Sequence, residues 1–246
     1  MYLSQNLVKM VIKKIKLPNR EIELDFLLAG NGSIGMPAAP DGYVPFNIFP
    51  RRCFDTVDFV DVTLFCGGSN TEKNLLLRIL ASKMGCVCLP EGMSERCLKD
   101  YLGLCCTVFA EADEERAVEV QLITKEQISA YVKEKYANII NDTSWSVLDF
   151  YDKTINSGSL CFIEEPEIGM SISEQIQFAN LVYDLVRGSK SQFVITTNSP
   201  IIMGISRAVI YDFDRDVILP ETWYSSSVAK EYARQYEDIK KKHRMK

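Results

Sequence analysis

The 246-residue chain has a single histidine, His243, set in a charged C-terminal segment, so a zinc-type site that needs imidazole lacks its ligand. No apolar run approaches the roughly 18 residues that a membrane span requires, so no membrane-spanning helix is expected. The N-terminal stretch Met1-Tyr2-Leu3-Ser4-Gln5-Asn6 lacks the charged-then-apolar order of a signal peptide, and the expected setting is the cytoplasm. Charge of one sign is not in large excess: 33 acidic against 28 basic residues leave a net charge of -5. That balance excludes global attraction to nucleic acid or anionic lipid and leaves room only for a local patch. Internal repeats, heptad arms and low-complexity tracts are absent from the sequence.

Hydrophobic residues make up 47% and charged residues 25%, as in an ordinary globular protein with a sizeable core. The eight cysteines sit mostly in apolar runs such as Leu104-Cys105-Cys106-Thr107-Val108, where a cytoplasmic protein uses them as small core hydrophobes. Cys86-x-Cys88 has no second pair at zinc-ribbon spacing. Residues 7–17 and 22–28 read as N-terminal strands, and the glycine- and proline-rich stretch 30–42 as a surface loop. From residue 59 onward strands alternate with helices, which predicts an α/β fold with a mainly parallel sheet flanked by helices and an N-terminal antiparallel β addition. A single domain over 1–246 is expected, with a β subregion at 1–58 and a helical, variable subregion at 86–158.

Three segments carry the chemistry. The first is a buried strand at 60–66 running into Gly67-Gly68-Ser69-Asn70-Thr71-Glu72-Lys73-Asn74 and an apolar helix. A phosphate-binding loop of the form G-x-x-x-x-G-K-[ST] wraps backbone N–H groups around phosphates at a helix N-terminus, with lysine on the β/γ-phosphates and a hydroxyl on Mg²⁺. Gly67 and Lys73 stand at that spacing, but Glu72 replaces the second glycine and Asn74 the hydroxyl residue. A carboxylate about 4 Å from a phosphate opposes it by roughly 4 kcal/mol per charge pair, unless the side chain turns outward. The second segment is Leu160-Cys161-Phe162-Ile163 feeding Glu164-Glu165-Pro166-Glu167, an apolar strand ending in carboxylates that could serve Mg²⁺ and a base beside a γ-phosphate. The third is Phe193-Val194-Ile195-Thr196-Thr197-Asn198-Ser199-Pro200, a strand that aims small polar residues at the same sheet edge.

Together these segments resemble the ABC-ATPase superfamily of P-loop NTPases, in particular its small soluble branch of AAA-type ATPases related to SMC- and RecF-like proteins. The resemblance also takes in Pro45-Phe46-Asn47-Ile48 and the segment from Glu221-Thr222-Trp223 to Tyr236-Glu237, and is weakest over 86–158. It implies ATP and Mg²⁺ as ligands. Gly67, Gly68, Asn70, Lys73, Asn74 and Asn198 would then line the nucleotide, Asn74 and Glu164 would hold Mg²⁺, and Glu165 would be the catalytic base. It also marks departures: Asn198 stands where the family has a switch histidine, and Asp142-Thr143-Ser144-Trp145 lacks the glycine of the family signature.

Degraded motifs inside an intact pattern of strands and helices favour a weak or non-hydrolysing regulatory module acting with a protein partner, as a homodimer, a heterodimer with another ATPase, or a complex with an effector. The competing reading is a working ATPase with Glu165 as base and a Mg²⁺ site rebuilt from Glu164 and Asn74. A transporter subunit fits less well, because its signature and switch histidine are missing. Contact with DNA, common among the relatives, would rest on Lys13, Lys14 and Lys16, a run better explained as a solvated face.

Overall fold

A computed structural model of the chain describes residues 7–8, 12–30, 44–68, 72–109, 118–137 and 145–244. Two short strands, β1 (Leu7–Val8) and β2 (Ile12–Lys16), precede helix α1 (Arg20–Gly30). Strands β3 (Thr56–Asp58) and β4 (Val62–Cys66) lead to helices α2 (Lys73–Lys83) and α3 (Glu95–Leu104). Next come β5 (Cys106–Phe109), β6 (Val118–Ile123), α4 (Lys125–Ala137), α5 (Leu148–Thr154) and β7 (Leu160–Glu164). The remainder is α6 (Ile172–Ser189), β8 (Gln192–Thr197), β9 (Val209–Asp212), β10 (Pro220–Glu221) and α7 (Ser227–Arg244).

The main sheet runs β1-β6-β7-β8-β4-β9-β10. Its five inner strands, β6 to β9 in that order, are parallel, and β1 and β10 close the edges antiparallel. The parallel core expected from alternating strands and helices is therefore present. A separate antiparallel sheet, β3-β2-β5, supplies the expected addition but recruits β5 from the middle of the chain.

Strand β4 is buried along its whole length and divides its side chains by the two-residue period of a strand. Phe65 joins a core with Leu76, Leu77 and Leu80 of α2, Tyr101 of α3 and Ile15 and Val57 of the small sheet. Leu64 and Cys66 join the opposite core with Ile128 of α4, Tyr151 of α5 and Phe178 and Val182 of α6. Cover on both faces is what a run of apolar residues without alternation requires.

Residues 22–28, expected as a strand, lie in α1 instead. The alternation Glu21-Ile22-Glu23-Leu24-Asp25 imitates a strand period, but Asn19 caps the segment: its Oδ1 accepts from Ile22 N at 2.9 Å and its carbonyl from Glu23 N at 3.0 Å. Apart from Gly30, the loop expected at 30–42 lies outside the described residues. Four thiols, those of Cys66, Cys97, Cys105 and Cys161, are buried as expected, whereas Cys53 and Cys106 are exposed. Cys106 follows the buried Cys105 and faces the other way, since consecutive residues of an extended chain point to opposite sides.

Candidate functional site

In the parallel core the order β7-β8-β4-β9 brings together the ends of four strands far apart in sequence. Glu164 ends β7 and Glu165 follows it, Thr197 ends β8 and Asn198 follows it, Gly67 follows β4, and Phe213 and Asp214 follow β9. The carboxyl ends of parallel strands are where open α/β sheets bind ligands.

Gly67 has φ +134, and a side chain there would lie 3.1 Å from Phe213 Cβ and 3.2 Å from Asp214 N, so only glycine lets β9 come this close. The next amide, Gly68 N, donates to Asp214 Oδ1 at 2.8 Å. Asn70, expected to line the nucleotide, lies outside the described residues together with Ser69 and Thr71. Glu72 pairs with Arg52, whose Nη2 donates to Glu72 Oε2 at 2.9 Å. Arg52 is itself anchored, its Nη1 donating to the carbonyls of Phe213 at 2.9 Å and Arg215 at 2.8 Å.

Lys73 opens α2 and is fully buried. Its Nζ donates to Gly68 O at 2.8 Å and lies 3.8 Å from Glu165 Oε1. Burial draws its pKa down, opposed by the carboxylates of Glu165, Glu167 and Asp214. One residue on, Asn74 Nδ2 donates to Glu165 Oε1 at 2.7 Å, while Asn74 Oδ1 is buried without a hydrogen-bond partner among the described residues.

The two adjacent glutamates have different fates. Glu164 is fully buried and held as a fork by Arg78, whose Nε donates to Oε1 and Nη2 to Oε2 at 2.8 Å. Lys125 N adds a third donor at 3.2 Å, at the start of α4. The guanidinium is driven further into its charged form by Glu164. Glu165 adopts φ 43, a left-handed conformation that strains a residue with a side chain, and its N donates to Thr196 O at 2.9 Å. The turn aims its carboxylate at Lys73 and Asn74. Glu167 is held by Thr197 Oγ1 at 2.9 Å and Asn198 N at 2.6 Å, and burial raises its pKa. Asn198 Oδ1, like Asn74 Oδ1, is buried without a partner among the described residues.

Of the residues expected to form the site, Gly67, Gly68, Lys73, Asn74, Glu165 and Asn198 gather at this edge, and Glu164 lies beneath them in its pair with Arg78. Sequence reasoning missed Arg52, Arg78 and Asp214. Asp214 had a signal, since Asp212-x-Asp214 follows a short apolar strand as Glu164-Glu165 follows another. Arg52 and Arg78 had none, being ordinary basic residues until the fold supplies their partners. Among the described residues no group of three His, Cys, Asp or Glu side chains is placed to hold a metal ion, and no helix is long and apolar enough to cross a membrane.

No family model and no curated protein matches the chain. Among solved structures it is similar to the SMC head domain from Thermotoga maritima, at 12% sequence identity and a TM-score of 0.43, over 86% of this chain and 99% of that one.

Proposed function

We propose that the chain is an ATPase-like module that binds nucleotide weakly or not at all and acts through a protein partner rather than through hydrolysis. One observation carries this reading: the chain's own side chains already make the contacts that a triphosphate and its metal would use. Asp214 accepts the Gly68 amide at 2.8 Å, Lys73 donates to the Gly68 carbonyl at 2.8 Å, and Arg78 takes both oxygens of Glu164. As they stand, these residues do not fit Mg²⁺-ATP. A phosphate would have to displace a carboxylate from the Gly68 amide, and a metal would have to draw Glu164 out of a buried ion pair. Glu72 is not the obstacle, because Arg52 neutralises it.

The partner is a second copy, another ATPase or an effector protein. Isothermal titration of the full chain with millimolar Mg²⁺-ATP tests the reading, with little or no heat of binding expected. Tight binding accompanied by multiple turnovers that Glu165→Gln abolishes would overturn it.

A second reading, a working ATPase, draws support from the unpartnered Asn74 Oδ1, an oxygen beside Glu165 that a cation could fill. It requires Lys73 to hold the phosphates once Asp214 has given way. Unchanged ATP binding in Lys73→Ala would end it.

A further inference from the structure

Helix α7 stands on the body by its first turn and then runs exposed from Lys230 to His243, apart from a half-buried Lys240. Tyr232, Tyr236 and Ile239 are 60%, 64% and 54% exposed, and their spacing of four and three places them on one stripe. Exposed tyrosines and an isoleucine in a seam of this kind are normally covered. Lys240 and Lys242 flank the seam. Lys240 lies 5.6 Å from the centre of the Tyr236 ring. The helix carries six basic residues, Lys230, Arg234, Lys240, Lys241, Lys242 and Arg244, against Glu231, Glu237 and Asp238, a surplus of three. The whole chain stands at -5, so everything outside α7 carries -8.

That charge separation selects the occupant. Two α7 seams laid together would bring two positive helices into contact. The exposed face of α1 is the opposite kind of surface: Glu21, Asp25 and Leu28 recur at i, i+4 and i+7, with Ile22 beside them. Leu28 is 69% and Ile22 42% exposed, so apolar and acidic groups are offered together. We infer that α7 of one copy docks on α1 of a second copy, the Tyr232–Tyr236–Ile239 seam covering Ile22 and Leu28 while Lys240 and Lys242 meet Glu21 and Asp25. A two-fold pair uses the contact twice, which lets two short helix contacts together reach the roughly 1,000 Å² of a specific interface. The contact uses none of the residues at the carboxyl ends of the parallel strands, so it stands apart from the nucleotide reading.

Sedimentation velocity of the full chain at micromolar concentrations and low salt tests it. The expected result is a species of twice the chain mass that dissociates as salt is raised. Reversing either side, K240E/K242E or E21K/D25K, should raise the dissociation constant about tenfold or more, and combining the two reversals should restore association. All four positions lie on exposed or half-buried helix faces, so unchanged circular dichroism will verify that the variants fold. Three outcomes overturn the inference: a monomer at every concentration, a dimer that ignores both reversals, or a dimer that responds only to Mg²⁺-ATP and Glu165→Gln. A fourth also does so: α7 reversal that leaves the mass unchanged but abolishes retention of an oligonucleotide probe, which would make nucleic acid the occupant.

Discussion

The carboxylate of Asp214 sits 2.8 Å from the Gly68 amide, where an external anion would have to bind. Asp214→Asn keeps an oxygen to accept that hydrogen bond and removes the charge. If the loop can still receive phosphate, the variant should bind Mg²⁺-ATP about tenfold more tightly than the parent by titration calorimetry, a gain of roughly 1.4 kcal/mol. No gain would mean that the rest of the loop, and not this carboxylate, limits binding. Glu23 is the other residue whose charge state matters. It is buried in α1, accepts a hydrogen bond from Asn47 N, and has a second oxygen with no partner among the described residues. Burial raises its pKa from 4.5 to about 7, only partly offset by the Asn47 amide. A carboxyl raised in the folded state binds its proton more tightly folded than unfolded. Its stabilisation is therefore complete below about pH 4.5 and is lost as pH rises through about 7. Denaturant unfolding should show Glu23→Gln gaining on the parent by on the order of 2 kcal/mol between pH 5 and pH 8, while the two converge in acid.

At the scale of elements, α6 shows how much of a helix can be read in advance. The sequence places its start at about residue 173, and the structure starts it at Ile172 behind a complete capping box: Ser171 Oγ accepts from Glu174 N at 3.3 Å and Glu174 Oε2 from Ser171 N at 2.8 Å. The box formed by Thr124 and Gln127 before α4 was legible, being made of neighbours in sequence. The end of α6 was not. Gly188 looks like a stop, yet the helix continues through Ser189, and Lys190 takes the left-handed position with φ 56. What decides the end there is Ser189 Oγ donating to Leu185 O at 2.6 Å and Lys190 N donating to the same carbonyl. Two substitutions of opposite sign follow. Ser171→Ala should cost about 1 kcal/mol through the lost cap, and Lys190→Gly should stabilise by about 0.5 to 1 kcal/mol by relieving the left-handed strain. Thermal unfolding of the two variants beside the parent would separate them by direction alone. The short strands β3, β5 and β10 escaped sequence reading because their pairing, not their own pattern, makes them strands.

Across the whole molecule, the three segments that converge on one sheet edge were legible because each joins a buried strand to a polar turn. Their electrostatics were not, since these depend on which strands become neighbours. The Arg78–Glu164 pair is the main case: it ties α2 to the end of β7, reaches Lys125 at the start of α4, and extends to Glu126, which accepts from Arg78 Nη2 at 2.7 Å. Removing Arg78 leaves the fully buried Glu164 carboxylate without its guanidinium and held by the Lys125 amide, so Arg78→Ala should cost about 3 to 5 kcal/mol. Removing both partners together takes away the charge that needed compensation. Arg78→Met with Glu164→Leu should recover most of that loss, because well-packed apolar replacements of a buried pair are often neutral. Denaturant unfolding of the two single variants and the double variant closes the cycle. A double variant as unstable as Arg78→Ala would show that the lost cross-link between α2, β7 and α4, and not the stranded carboxylate, is what the fold cannot spare.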